Sequence, residues 1–175
     1  MTSDNEELVT FKQKINAIGS KYHTPITLLG LLISVFIFYI FGLTVHEYFH
    51  LRIADCFGIS GYINFTWFGG VFVSHSIPSE PVSFIIKIAG GLGTAFVMLL
   101  LWAYARWTYS KWDLNIEFAT AFIGSVHLVY GIFEGLFLES GSFTIISVIA
   151  MTVVSIVVSV IYFDDILEYV QSVDD

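Results

Sequence analysis

Apolar residues are gathered along the chain in four long blocks, not in the alternating or one-faced patterns of a soluble domain. The first, Ile26 to Val45, carries no charge, follows Pro25 and has the length a bilayer crossing requires. It continues in helical register through His50 and into Arg52-Ile53-Ala54-Asp55, with Gly58 and Gly61 as the stop. The second block runs from Val82 to Tyr104, with Lys87 near its start and Arg106 just after it. Its Ala89-Gly90-Gly91-Leu92-Gly93-Thr94-Ala95 stretch presents small residues that let helices approach closely. The third, Phe118 to Leu138, contains His127 and Glu134, and the fourth, Phe143 to Phe163, is rich in Val and Ile. These blocks predict spans at about 26–52, 82–104, 118–138 and 143–163. Between the first two, Ile59 to Pro81 is rich in β-branched and aromatic residues, alternates in part and is punctuated by Gly69-Gly70. The expected fold is therefore an all-α polytopic membrane protein of about four transmembrane helices. A short β-hairpin or re-entrant loop, packed against protein or at the interface, lies between spans 1 and 2.

The ends of the chain are different. Residues 1–25 are polar, with Lys12, Lys14 and Lys21, and are expected as a short surface helix; residues 164–175 are expected as a solvated acidic tail. Because some 25 mostly polar residues precede the first apolar block, no cleavable signal peptide is expected. No internal repeat and no second, soluble domain is evident.

Composition narrows the class. The chain of 175 residues is 56% hydrophobic and 13% charged, which places it among membrane proteins, as does its mean hydropathy of +0.79. Acidic residues cluster at Asp4 to Glu7 and at Asp164 to Asp175, and the net charge of −8 argues against nucleic acid as a partner. Membrane lipids, a transmembrane protein substrate or partner subunits are the expected company. The single cysteine, Cys56, excludes an intrachain disulfide, a zinc ribbon and a CxxC pair. The acidic balance and plain architecture lead us to expect a prokaryotic cell membrane.

The chemistry concentrates at the end of the first block, in His46-Glu47-Tyr48-Phe49-His50. Histidines four apart share a helix face and can give two imidazole nitrogens to Zn²⁺, while the glutamate between them acts on a water at the metal. Polar residues capping a membrane helix would not need that spacing. A hydrolytic zinc site takes a third protein ligand. The choices are His23, His75 and His127 among histidines, and Glu134 and Glu139 among carboxylates. Ionisable groups within a span are costly and mark function by default. His127, Tyr130 and Glu134 lie at helical spacing on one face and could turn together toward His46 and His50. The plainer reading is a hydrogen bond that only fixes helix packing; for Glu139 it is a solvated carboxylate at a turn. His46 and His50 also form the HxxxH pair of membrane di-iron sites, but five scattered histidines are too few for one.

Taken together these features resemble the site-2 protease family of intramembrane zinc metalloproteases. His46 to Ala54, followed by Phe57-Gly58-Ile59, is similar to that family's metal helix. Ile59 to Val73 with Gly69-Gly70 resembles its strand loop, and Ile88 to Thr94 resembles the small-residue start of its next helix, with Thr94 near the family's Asn. The likeness covers about residues 40 to 141, in order. It implies a third ligand from a Leu-Asp-Gly motif, which this chain lacks. Leu138-Glu139-Ser140-Gly141 stands at the matching place, and Glu134, near another family Asn, is its rival. The family's prolines are also absent. The resemblance implies a zinc metalloendopeptidase acting on membrane-embedded substrates, with Glu47 as general base. The alternative is an inactive relative serving as a membrane scaffold or as a subunit of a larger complex. The two also bear on orientation. Lys12, Lys14, Lys21, Arg106 and Lys111 favour a cytoplasmic N-terminus, whereas the resemblance implies the reverse.

Overall fold

The computed structural model describes residues 3–66, 69–76, 78–108, 113–138 and 143–171, the stretch before Thr27 by its backbone alone. Helix α1 runs from Ser3 to Cys56, strands β1 (Gly61–Thr66) and β2 (Gly69–Ser74) follow, and then come α2 (Glu80–Thr108), α3 (Asp113–Phe137), α4 (Phe143–Ile161) and α5 (Phe163–Gln171). Four helical stretches are long and apolar enough to cross a membrane: Thr27–Cys56, Glu80–Thr108, Leu114–Phe137 and Phe143–Ile161. The protein is a membrane protein of the expected class, with the small antiparallel hairpin between its first two spans.

Two boundaries differ from expectation. The polar residues 3–25 are not a separate helix; α1 continues through Pro25 without a break. Proline removes one helical hydrogen bond, and the turns on either side of it still propagate. The acidic tail is also folded in part. Phe163, Ile166, Leu167 and Val170 recur at helical spacing, Asp164 and Asp165 sit in the first turn where the helix dipole favours them, and Ile166 packs against a core cluster of Leu31, Phe118, Val158 and Tyr162.

Helix α1 ends as its sequence dictates. The Phe57, Gly58 and Ile59 amides donate back to Ala54, Asp55 and Ala54 carbonyls at 3.0 Å, and Gly58 takes φ +71°, open to glycine at no steric cost. The chain then turns into β1, whose partner β2 pairs Gly61 with Ser74, Ile63 with Phe72 and Thr66 with Gly69. Helix α2 starts at Glu80-Pro81, where a missing amide costs nothing, and the Ser83 amide donates to the Ser79 carbonyl at 2.8 Å.

The helices pack inside out relative to a soluble bundle. Leu32, Phe36, Leu99, Ile145 and Val160 lie exposed, as suits surfaces that face lipid tails. His46, His50, Thr94, Glu117, Thr120 and His127 are buried. The backbones of α2 and α3 meet closely where they cross: a methyl on Gly91 would collide with the backbone of Gly131 and with the His127 carbonyl. A methyl on Gly93 would collide with the Phe49 ring. The small-residue run of α2 thus draws α1 and α3 to one level.

At the far end of the bundle a second polar group closes the interior. The Glu117 carboxylate accepts from Arg106 at 2.7 Å and from the Tyr162 hydroxyl at 3.1 Å, and the Trp102 indole donates to Tyr162 at 2.7 Å. Burial pushes the Tyr162 phenol up to about 12, with the Glu117 charge adding to it and the Trp102 bond working against it.

Candidate metal centre

His46 and His50 sit one turn apart near the end of α1, both almost fully buried, on the face turned toward α2 and α3. Their Nε2 atoms stand 2.9 Å apart. The His50 ring is fixed by its other nitrogen: Nδ1–H donates to the Ile86 carbonyl at 2.6 Å, so Nε2 presents its lone pair toward His46. Ile86 lies in the early turns of α2, so the start of that helix sets the tautomer of a residue on α1. The room these nitrogens face is made by Gly90, where an added Cβ would run into His50 Nε2 and stand 2.7 Å from His46 Nε2.

From α3, Glu134 reaches the same point. Its Oε2 lies 3.1 Å from His46 Nε2 and 3.6 Å from His50 Nε2. Tyr130 and His127, one and two turns earlier on that face, put their ring centroids 5.4 Å from the His46 ring. The shared face of His127, Tyr130 and Glu134 does turn toward the paired histidines. His127 is buried, and its Nδ1, like that of His46, lacks a hydrogen-bond partner.

Glu47 contributes a second carboxylate. One of its oxygens lies within 4.8 Å of ligand nitrogens on both histidines, so by proximity alone it too could reach a shared ion. Glu134 is the nearer of the two. Glu47 Oε2 is engaged elsewhere, accepting the Phe72 amide from β2 at 2.7 Å. The residues surround a cavity of about 550 Å³ that is also walled by Phe72, Lys87 and Tyr130. The hairpin lies over one side of it, with the Phe72 ring stacked on His50 at 6.3 Å and 25° between planes.

Donor set and spacing fit a zinc ion. Ligand atoms at about 2.0–2.2 Å around a tetrahedral centre lie about 3.3–3.6 Å from one another. The three separations given above, 2.9, 3.1 and 3.6 Å, come within a few tenths of an ångström of that range. Two imidazoles and one carboxylate are also a set that suits zinc.

No protein-family model, no curated protein and no solved structure matches the chain. The chemistry of the site must therefore be argued from its own residues.

Among the residues singled out from sequence, His46, Glu47, His50 and Glu134 come together, and His127 lies beside them. Glu139 is outside the described residues, and so is the side chain of His23. His75 belongs to the hairpin end, its ring 5.6 Å from that of Tyr62. Thr94 does not enter the site: its hydroxyl donates to the Gly90 carbonyl one turn back at 2.9 Å, with the Gly42 carbonyl at 3.5 Å. Three contributors had no sequence signal as site groups: the Ile86 carbonyl, the Phe72 amide and the space at Gly90. Backbone groups leave no residue-type trace. Gly90 was legible only as a packing residue.

Proposed function

We propose that the protein is a zinc-dependent intramembrane peptidase, in which His46, His50 and Glu134 hold Zn²⁺ and Glu47 is the general base. The observation that carries this reading is the convergence of His46 Nε2, His50 Nε2 and Glu134 Oε2 on one point, with Glu47 beside it and Gly90 leaving the room. A packing role would be met by one His–Glu hydrogen bond. It does not call for two buried imidazoles aimed at each other, since burying unneeded polar groups within a span is costly.

When bound, zinc would polarise the scissile carbonyl and make a water acidic enough to attack at neutral pH. The chain's residues do the rest. His50 is locked in orientation by Ile86, so its Nε2 is ready without a search of rotamers. Glu47 takes the proton from the attacking water and returns it to the leaving amine. The apolar residues of the cavity wall, Leu43, Val126 and Met151 among them, lower the local dielectric and strengthen the charges beside them. A peptide bond in a membrane helix is protected by its own hydrogen bonds, so the substrate must unwind locally. The outward edge of β2 lies beside the cavity, and its amides other than that of Phe72, which Glu47 engages, can pair with such an unwound segment.

The test is metal analysis of the purified protein together with cleavage of a transmembrane peptide in micelles. Wild type carries one zinc per chain and cleaves; Glu47→Gln keeps the zinc and loses about 10²–10⁴-fold in kcat. A wild-type protein that binds no zinc from a metal buffer overturns the reading. If the metal is bound but Glu47→Gln leaves the cellular role of the protein intact, the scaffold reading replaces it.

A further inference from the structure

The hairpin does more than cover the cavity. In a two-stranded antiparallel ladder, successive residues point their amides alternately at the partner strand and away from it. The His75 amide donates across to Ser60 at 2.9 Å, so counting back along the register the amides of Val73 and Val71 face β1. Those of Ser74, Phe72 and Gly70 face away. Of these three, the Phe72 amide meets the Glu47 carboxylate at 2.7 Å. An outward amide on an edge strand would ordinarily be left to water or to another chain. Here it is spent on the residue next to His46, and the ring of the same Phe72 lies parallel to His50. One residue of β2 therefore touches both the general base and an imidazole of the centre, from a segment separated from them by the end of α1.

We infer that Phe72 is the positioning residue for Glu47: its amide fixes Glu47 Oε2 and leaves Oε1 turned to the proton it must move. Without that bond Glu47 rotates about three side-chain bonds near the mouth of the cavity, and the productive arrangement becomes one of several. Docking of the hairpin and arming of the base become a single event. The inference rests on Glu47 acting as the base in the proposed function, yet the hydrogen bond itself can be read without metal or substrate.

The test has two arms. Amide hydrogen exchange on the metal-free protein should show Phe72 protected like Val71 and Val73, and Glu47→Ala should speed exchange at Phe72 alone by about tenfold or more. Glu47→Gln, which keeps an acceptor, should retain most of the protection. If the wild-type Phe72 amide exchanges as fast as that of Ser74, the inference is overturned, whatever the protein does to peptides. In the activity arm, Phe72→Pro removes the outward donor together with the ring, and kcat falls about 10- to 100-fold with zinc content unchanged. Phe72→Leu keeps the amide and loses only the ring, so kcat falls less than in Phe72→Pro, and the gap between the two variants measures the amide. A rise in KM at constant kcat for Phe72→Pro would assign that amide to substrate pairing instead, and would overturn the inference. Should wild type neither bind zinc nor cleave, the proposed function fails while the exchange arm still decides whether Phe72 holds Glu47.

Discussion

Helix α3 carries two glutamates near its opposite ends, Glu117 buried and Glu134 half-buried, and they are held in different ways. Glu117 is held by donors: Arg106 and the Tyr162 hydroxyl both donate to its Oε1, and Trp102 donates to Tyr162 in turn. It meets partners of opposite charge or fixed donor character and ties α2, α3 and the start of α5 together. Glu134 faces two imidazoles that also face each other at 2.9 Å, beside a cavity. Neutral imidazoles cannot all donate at one point, so the cluster has more lone pairs than protons to share. A closed donor–acceptor circuit is what a structural polar group needs, whereas a surplus of lone pairs aimed at one place is what a cation needs. The same residue type, on the same helix, thus reads as a staple at one end and a ligand at the other.

The comparison can be broken most directly by removing each carboxylate. Glu134→Ala should weaken zinc binding by more than about 100-fold, a loss larger than that from removing a group that only hydrogen-bonds a ligand, while Glu117→Gln leaves the zinc stoichiometry at its wild-type value. Competition with a chromogenic chelator measures both. Retention of zinc by Glu134→Ala together with its loss from Glu139→Ala would move the third ligand out of α3.

A smaller effect is expected at Gly90. A methyl there meets both imidazole nitrogens, so Gly90→Ala should cost zinc affinity about tenfold and stability about 1–3 kcal/mol through overpacking. Gly30→Ala, with nothing near its Cβ position, should be neutral in zinc and in melting temperature. Equal behaviour of the two would mean that the room at Gly90 has nothing to do with the centre.

At the staple end the losses should appear in stability alone. Glu117→Gln should cost about 1–3 kcal/mol and Tyr162→Phe about 0.5–1.5 kcal/mol in unfolding from detergent, each with unchanged zinc content. Tyr162 also gives the smallest effect, a pH signature. Its phenol is raised from 10.0 to about 12 in the folded protein, so between those values the unfolded chain releases a proton that the folded one keeps. Stability should then decline as pH rises from about 10 to about 12 and level off above, and Tyr162→Phe should flatten that decline.

Much of the architecture was legible one residue type at a time. Spans follow from charge-free runs of bilayer length, the end of α1 from Gly58, and the two imidazoles with their carboxylate from a spacing that one helix determines by itself. The unbroken α1 was not legible, because Pro25 reads locally as a start and only the turns on both sides show that the helix continues. Nor was α5, whose four apolar positions are diluted by acidic neighbours and which is anchored by Ile166 packing on a core cluster that includes Leu31 and Phe118.

What the sequence by itself determined is thus what run length and one helix's period decide: four spans, and His46, Glu47 and His50 within one turn, with the segment between the first two spans left as a hairpin or a re-entrant loop. Which carboxylate completes the site depends on how α3 is rotated and how far it slides along α1. That phase is set by Gly91 lying against Gly131 and by Gly90 yielding room to the imidazoles. The partner of Glu47 likewise depends on which amides of β2 face outward. These are relations between elements distant in sequence, and no spacing along the chain encodes them; packing at van der Waals distance does.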